Sequence, residues 1–161
     1  AGGGKVLQVV SYLTATQGSQ TIGTSDSVVN SISKTITPLG NNSKFLVAVR
    51  WFGENYKNWD MCFNIQMDGT RVNINSQGRM YALSLAAVST EEGVNDDSTP
   101  NNLNMQTLVS TSSIIGTDIT FRLVCDTYQS SRTMWNNRCY STSAADREYG
   151  TSEIIITEIG A

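Results

Sequence analysis

The chain has 161 residues, enough for one domain with a substantial core. Only 16% of them are charged, the formal net charge is −3 and no basic run occurs, which excludes a nucleic-acid or membrane-surface binder that works through a positive patch. Histidine is absent, so the commonest general base and the commonest zinc ligand are both missing.

Residues 1–5, Ala1-Gly2-Gly3-Gly4-Lys5, read as a flexible linker from an upstream stalk or shaft, and residues 6–161 as a single β-sandwich knob. No stretch is long and apolar enough to span a bilayer, and no signal-peptide pattern is present. Residues 6–15 predict the first strand, with Val6, Gln8, Val10 and Tyr12 on one side and Leu7, Val9 and Leu13 near the other. Residues 16–26 are polar and glycine-containing, a loop or frayed edge. Residues 27–37 alternate loosely through Val28, Asn30, Ile32, Lys34 and Ile36. Pro38, which has no N–H to give to a ladder, ends that strand. Asn41-Asn42-Ser43 turns the chain into the central strand. There Phe45, Val47, Val49 and Trp51 share one face while Leu46, Ala48 and Phe52 share the other with Arg50, so both faces are expected to be covered, inside a sandwich or at a subunit contact.

Residues 54–58 form a polar loop carrying Tyr56, with Trp59 at its far lip. Met61, Phe63, Ile65 and Met67 then alternate strictly with Cys62, Asn64, Gln66 and Asp68. Asp68-Gly69 suits a two-residue type I′ turn, since both residues tolerate positive φ. Folding back there pairs Met67 with Thr70, Gln66 with Arg71, Ile65 with Val72, Asn64 with Asn73 and Phe63 with Ile74, apolar with apolar and polar with polar. After a turn at Ser76-Gln77-Gly78, Tyr81, Leu83, Leu85 and Ala87 alternate again. Residues 89–102 are the longest polar insertion and carry Glu91, Glu92, Asp96 and Asp97. Residues 103–112 predict a strand, Gly116-Thr117 a turn, and Ile119, Phe121, Leu123 and Cys125 the inward face of the next strand. Residues 133–140 follow, with Trp135 opposite Cys125 if the apolar faces are to match. Residues 141–150 are a polar connection. Residues 153–159 close the chain with Ile154 and Ile156 on one face and Ile155 and Ile159 on the other. About ten short strands and no helix-length apolar stripe predict an all-β, antiparallel β-sandwich, jelly-roll-like.

Chemistry has few places to sit. Without histidine no Ser-His dyad can form, and no GxSxG pattern occurs. Asp126, Glu153 and Glu158 are strand carboxylates that could in principle supply an acid pair, but polar strand faces carry such residues to keep edges soluble. The acidic residues of the 89–102 insertion match no EF-hand spacing, so a solvated loop is expected. The expectation is no enzyme, no cofactor and no metal. Cys62, Cys125 and Cys139 are odd in number and form no CxxC. They predict buried thiols outside any disulfide, in a protein assembled in a reducing compartment, with Cys125 and Cys139 the one pair close in sequence. Tyr56 and Trp59 bracket one loop and Tyr128 and Trp135 flank another. Aromatic rings beside Asn, Asp and Lys suit sugar recognition, because a ring stacks on the apolar face of a pyranose while polar neighbours fix its hydroxyls. Trp59 and Trp135 have an alternative role as inward-pointing core residues.

The opening GKVLQVVS, the segment ITPLGNNSKFLVAVR, the phrase MDGTRV and the closing WNNRCYSTS and YGTSEIIITEIGA together resemble a domain common at the C-terminal ends of tail-fibre and other structural proteins of marine phages, cyanophages included. The resemblance runs over nearly the whole chain and implies a compact β domain on the virion surface, homotrimeric, acting in host recognition. It carries over no catalytic residue. This chain departs from the pattern in its longer acidic insertion and in Tyr56 and Trp59, loop positions where recognition specificity varies. The candidate receptor- or glycan-binding residues are therefore Tyr56, Lys57, Asn58, Trp59, Asn95, Asp96, Asp97 and Trp135. The implied partners are two further copies of the chain, a host cell-surface glycan or protein receptor, and other virion proteins through the N-terminus, with no nucleic acid and no membrane insertion. The implied location is the virion, on tail fibre or capsid surface, after assembly in the host cytoplasm. A capsid decoration or head-fibre protein is the alternative. A trimer also suits the residues: the first, central and last strands carry apolar side chains on both faces, more than a two-layer sandwich can bury by itself.

Overall fold

The computed structural model describes residues 4–55, 61–74, 84–86, 100–127, 131–141 and 148–161, the side chains of 84–86 excepted. Among them are eleven β-strands and no helix: β1 (Val6–Thr14), β2 (Gly18–Ile22), β3 (Ser27–Ile36), β4 (Lys44–Asn55), β5 (Met61–Met67), β6 (Thr70–Arg71), β7 (Ser84–Ala86), β8 (Asn101–Ser110), β9 (Ile119–Thr127), β10 (Arg132–Asn136) and β11 (Ser152–Ile159). Every paired ladder is antiparallel.

The strands form two sheets. In the first, β4 has β8 along one edge and, along the other, β11 beside residues 44–50 and β10 beside residues 53–55. Thus β10 and β11 lie end to end, and β2 and β1 lie end to end outside them. Taking each such pair as one interrupted strand, the first sheet runs β1/β2, β10/β11, β4, β8. The second runs β3, β9, β5, with β6 and β7 sharing the far edge of β5. This is jelly-roll order, two four-stranded sheets built from interleaved Greek keys. The jelly-roll expectation holds, and the strand count rises because two of its eight strands are broken and β6 and β7 share one place.

Alternation on the inner faces builds the core. Phe45, Val47, Val49 and Trp51 of β4 meet Met61, Phe63 and Ile65 of β5, Phe121, Leu123 and Cys125 of β9, and Ile154 and Ile156 of β11. Phe45 lies 5.6 Å from Phe121 and Trp51 lies 5.1 Å from Phe63, ring centre to ring centre. Each large side chain fully buried here contributes about 1.5–3 kcal/mol.

Several expectations are corrected in detail. The hairpin turn forms as expected, with Asp68 at φ 48° and Gly69 at φ 85°, and Met67 pairs with Thr70 and Gln66 with Arg71. Val72 N still donates to Ile65 O, as expected, and the pairing stops after that. Asn73, at φ 53°, turns away, and its Nδ2 donates to Thr107 Oγ1 and Leu108 O of β8. Ser84 of β7, not Ile74, lies opposite Phe63. In β3 the consecutive positive φ values of Asn30 and Ser31 make a bulge, so Val29 and Ile32 both face inward and strict alternation fails. A bulge between Val6 and Gln8 likewise leaves Val6 exposed. Trp135 pairs with Glu54 and Ser19 in the first sheet, not with Cys125, because the connection from β9 crosses between sheets. As expected, all three cysteines are buried thiols, and no disulfide joins Cys125 to Cys139. Burial raises the pKa of the Cys125 thiol, with Asp126 adding to the effect, so it stays protonated and unreactive.

The sandwich has two distinct ends. β1 begins and β11 finishes at one, beside the connections 37–43 and 111–118 and the hairpin at Asp68-Gly69. From the other leave the connections 23–26, 56–60, 87–100 and 128–131, as the registers of β4, β5, β7, β8, β9 and β10 require. We refer to these as the terminal end and the loop end.

Candidate functional site

Of the candidate binding residues, Tyr56, Lys57, Asn58, Trp59, Asn95, Asp96 and Asp97 lie outside the described residues, as does Tyr128. Their flanking strand ends are described, and these converge. Asn55 precedes the first group and Met61 follows it; Ala86 is opposite Met61, and Asn101 is opposite Gly53. Both connections therefore spring from the loop end.

Asn55 is the last residue of β4 and pairs with buried Met134. It is 4% exposed, and neither its Oδ1 nor its Nδ2 has a hydrogen-bond partner. Thr127 Oγ1, on the strand beside Met61, is also buried without one. An unpaired buried polar group costs about 1–3 kcal/mol. Both lie at the root of the 56–60 connection.

Trp135 is 7% exposed, and it is not part of the sandwich core. It stands on the outward side of the first sheet, with its ring edge-on to Tyr140 at 4.6 Å. The described parts of the excursion between β10 and β11, residues 137–141 and 148–150, are joined at its base by Gly150 N donating to Asn137 O and by a bridge between Arg138 and Tyr149. The excursion covers Trp135 and buries Glu54, whose Oε2 accepts from Tyr140 N at 2.5 Å. A Cβ on Gly150 would overlap the Phe52 ring, so only glycine lets the chain cross there. The same excursion exposes Tyr140 (38%) and Tyr149 (51%), aromatic residues at the loop-end half of the molecule that the sequence reading did not single out. Tyr149 lies in the expected polar connection and Tyr140 at the end of the expected strand 133–140, so only Tyr149 carried a compositional signal.

The three strand carboxylates are not brought together. Glu153 is on the outward face of β11, Glu158 is on its inward side, and Asp126 is in the other sheet. Asp126 Oδ2 lies 2.9 Å from Arg71, whose guanidinium also grips both oxygens of Asp26, which in turn accepts from Gln66 Nε2 at 2.7 Å. The hydrogen bond to Asp26, opposed by burial and helped by Asp126, holds the Arg71 pKa above its ordinary value. Glu158 is fully buried at the terminal end and accepts from Gln8 Nε2, Leu39 N, Gly40 N and Ser43 Oγ at 2.7–3.0 Å. Among the described residues, no group of three or more His, Cys, Asp or Glu is placed to hold a metal ion, and no helix is long and apolar enough to cross a membrane.

The fold and these sites together define a jelly-roll domain with its first strand beginning and its last strand finishing at one end and the connections 56–60 and 87–100 leaving from the other. No family model matches the sequence, and no curated protein matches it. Among solved structures, the chain is similar to one in the structure of infectious bursal disease virus Gx strain, at a TM-score of 0.44 and 14% identity. That match covers 96% of this chain and 32% of the other, so the chain spans about a third of the length of its structural neighbour.

Proposed function

We propose that this domain is a non-enzymatic surface module of a phage virion, a tail-fibre tip that attaches to the host cell as a homotrimer. The observation that carries the reading is the polarity of the sandwich. The first strand begins and the last one finishes at the terminal end, where other virion proteins would join through the N-terminal side. The connections holding Tyr56, Lys57, Asn58 and Trp59, and Asn95, Asp96 and Asp97, leave from the opposite end, where a receptor would be met. Loops on a rigid scaffold are the usual place for recognition. The aromatic and amide side chains of these loops suit a host surface glycan better than a charged partner. The buried thiols fit assembly in the reducing host cytoplasm.

The test is binding of the purified domain to host cells and to a panel of bacterial surface polysaccharides. Replacing Tyr56 and Trp59 together by alanine is expected to weaken attachment at least about tenfold, the loss of roughly 1.4 kcal/mol, with thermal stability unchanged. Undiminished attachment would remove these loops as the contact surface. Antibody labelling on tails supports the fibre tip; labelling on capsids moves the domain to the head.

A further inference from the structure

The outward face of the first sheet mixes apolar and polar side chains, and its apolar share rises towards the terminal end. Read across β1, β11, β4 and β8, its rows are Leu13, Glu153, Arg50, Asn104; then Ser11, Ile155, Ala48, Gln106; then Val9, Thr157, Leu46, Leu108. Val9 is 58% exposed and Leu108 48%. The three strands whose sequences carry apolar residues on both faces, β1, β4 and β11, thus lie side by side in one sheet and turn their surplus the same way. Exposed apolar side chains gathered on one face of a folded domain mark an interaction surface.

We propose that this face is covered by two further copies of the chain, packed around a threefold axis that runs parallel to the strands between β11 and β4. The inference rests on the homotrimer of the proposed function and adds the surface and the axis. Three features of the face are complementary to the face itself. Ala48 and Ile155 are neighbours in one row, and a depression of about 380 Å³ lies over Ala48, rimmed by Arg50, Asn104, Gln106, Glu153 and Ile155 itself. Around an axis parallel to the strands, the Ile155 knob of one copy enters the Ala48 hollow of the next. Arg50 and Glu153 are likewise row neighbours, so the same axis sets Arg50 of each copy beside Glu153 of the next, in a ring of alternating charge. At the outer corners Val9 meets Leu108, and Ser11 meets Gln106, apolar with apolar and polar with polar.

The width of the sheet suits three copies. Sheets touch face to face at about 10 Å, so each stands about 5 Å from a shared axis, and a threefold prism of that size has walls about 17 Å wide. Four strands at about 4.8 Å spacing span roughly 14–19 Å. Above the Arg50 row, residues 148–150 lie over Phe52 and thicken the face. The three copies therefore converge at the terminal end and splay towards the loop end.

Light scattering on the eluting protein tests this. The native chain is expected at three times its own mass. Ala48→Arg, which fills the hollow, and Arg50→Glu, which places like charges together, are each expected to lower the mass threefold with an unchanged far-UV circular dichroism spectrum. Arg50→Glu combined with Glu153→Arg restores the alternating ring and with it the trimer. A native mass of two chains overturns the threefold packing. A native mass of one chain overturns both this packing and the homotrimer. A trimer that survives Ala48→Arg and Arg50→Glu overturns the choice of face and leaves the homotrimer standing.

Discussion

Glu158 and Asn137 are both completely buried polar residues, one at the terminal end and one where the loop-end half begins, and they meet opposite needs. Glu158 is charged and only accepts. It gathers donors from β1 and, through Leu39, Gly40 and Ser43, from the 37–43 connection, two elements with no common ladder, and so ties the terminal end shut. The 111–118 connection is fastened to the same place through Ser113, whose carbonyl accepts from Asn42 N and whose Oγ accepts from Ser43 N. Asn137 is neutral and both gives and takes. Its Nδ2 donates to Thr14 O and Thr16 O, carbonyls left where β1 breaks from β2. Its N donates to Phe52 O, while Ser152 Oγ accepts from Phe52 N and donates to Asn137 Oδ1. Phe52 is the residue of β4 where the β11 ladder has ended and the β10 ladder has not begun. Asn137 thus replaces the missing ladder, at φ 57°, a conformation that asparagine tolerates better than most residues. A charge closes an end; an amide repairs a seam.

Removing each side chain separates the two roles. Glu158→Ala leaves four donors facing a cavity, and the expected loss is about 4 kcal/mol, since each orphaned buried donor costs about 1–3 kcal/mol and water recovers some of it. Asn137→Ala is expected to cost about 3 kcal/mol, of which about 1 kcal/mol is the left-handed backbone. Asn137→Gly should return that last part and no more. Urea unfolding with unchanged m-values measures all three. If Asn137→Gly were as stable as the native chain, the amide would matter only for its backbone, and the seam would need another explanation.

The sheets were legible in the sequence because burial on one face prints a period of two. Met61 to Met67 and Ile119 to Cys125 show it cleanly, and both strands form in the predicted places. Breaks in that period were illegible for a physical reason. The bulge at Asn30 and Ser31 and the turn at Asn73 depend on residues that tolerate positive φ without requiring it. Asn137 belongs to the same class. Its neighbours Trp135 and Tyr140 fit a strand pattern, but the chain leaves the sheet between them. Glu158 could have been found: it shares a period-two face with Ile154 and Ile156, and a carboxylate on a core face needs a nest of donors. The candidate binding residues remain sequence features, because Tyr56 to Trp59 and Asn95 to Asp97 lie outside the described residues. What the fold contributes there is the common end from which both connections leave.

The smallest expected effect is also the most specific to the charged side of the comparison. Burial alone would raise the pKa of Glu158; hydrogen bonds from Gln8, Leu39, Ser43 and Gly40 outweigh it and hold the carboxyl below its ordinary value of 4.5. An unfolded chain then binds this proton at a higher pH than the folded one does. The stabilisation is therefore complete above the ordinary carboxylate range and is lost as the pH falls from there through the lowered folded value. Glu158→Gln has no such proton to bind, so its deficit relative to the native protein should shrink as the pH is taken from 7 towards 3. The Asn137 variants should keep a constant deficit over the same range, because an amide does not titrate. Parallel curves for Glu158→Gln and the native protein would mean that the terminal end is held by shape and neutral hydrogen bonds, and the contrast between a charged closure and a neutral seam would disappear.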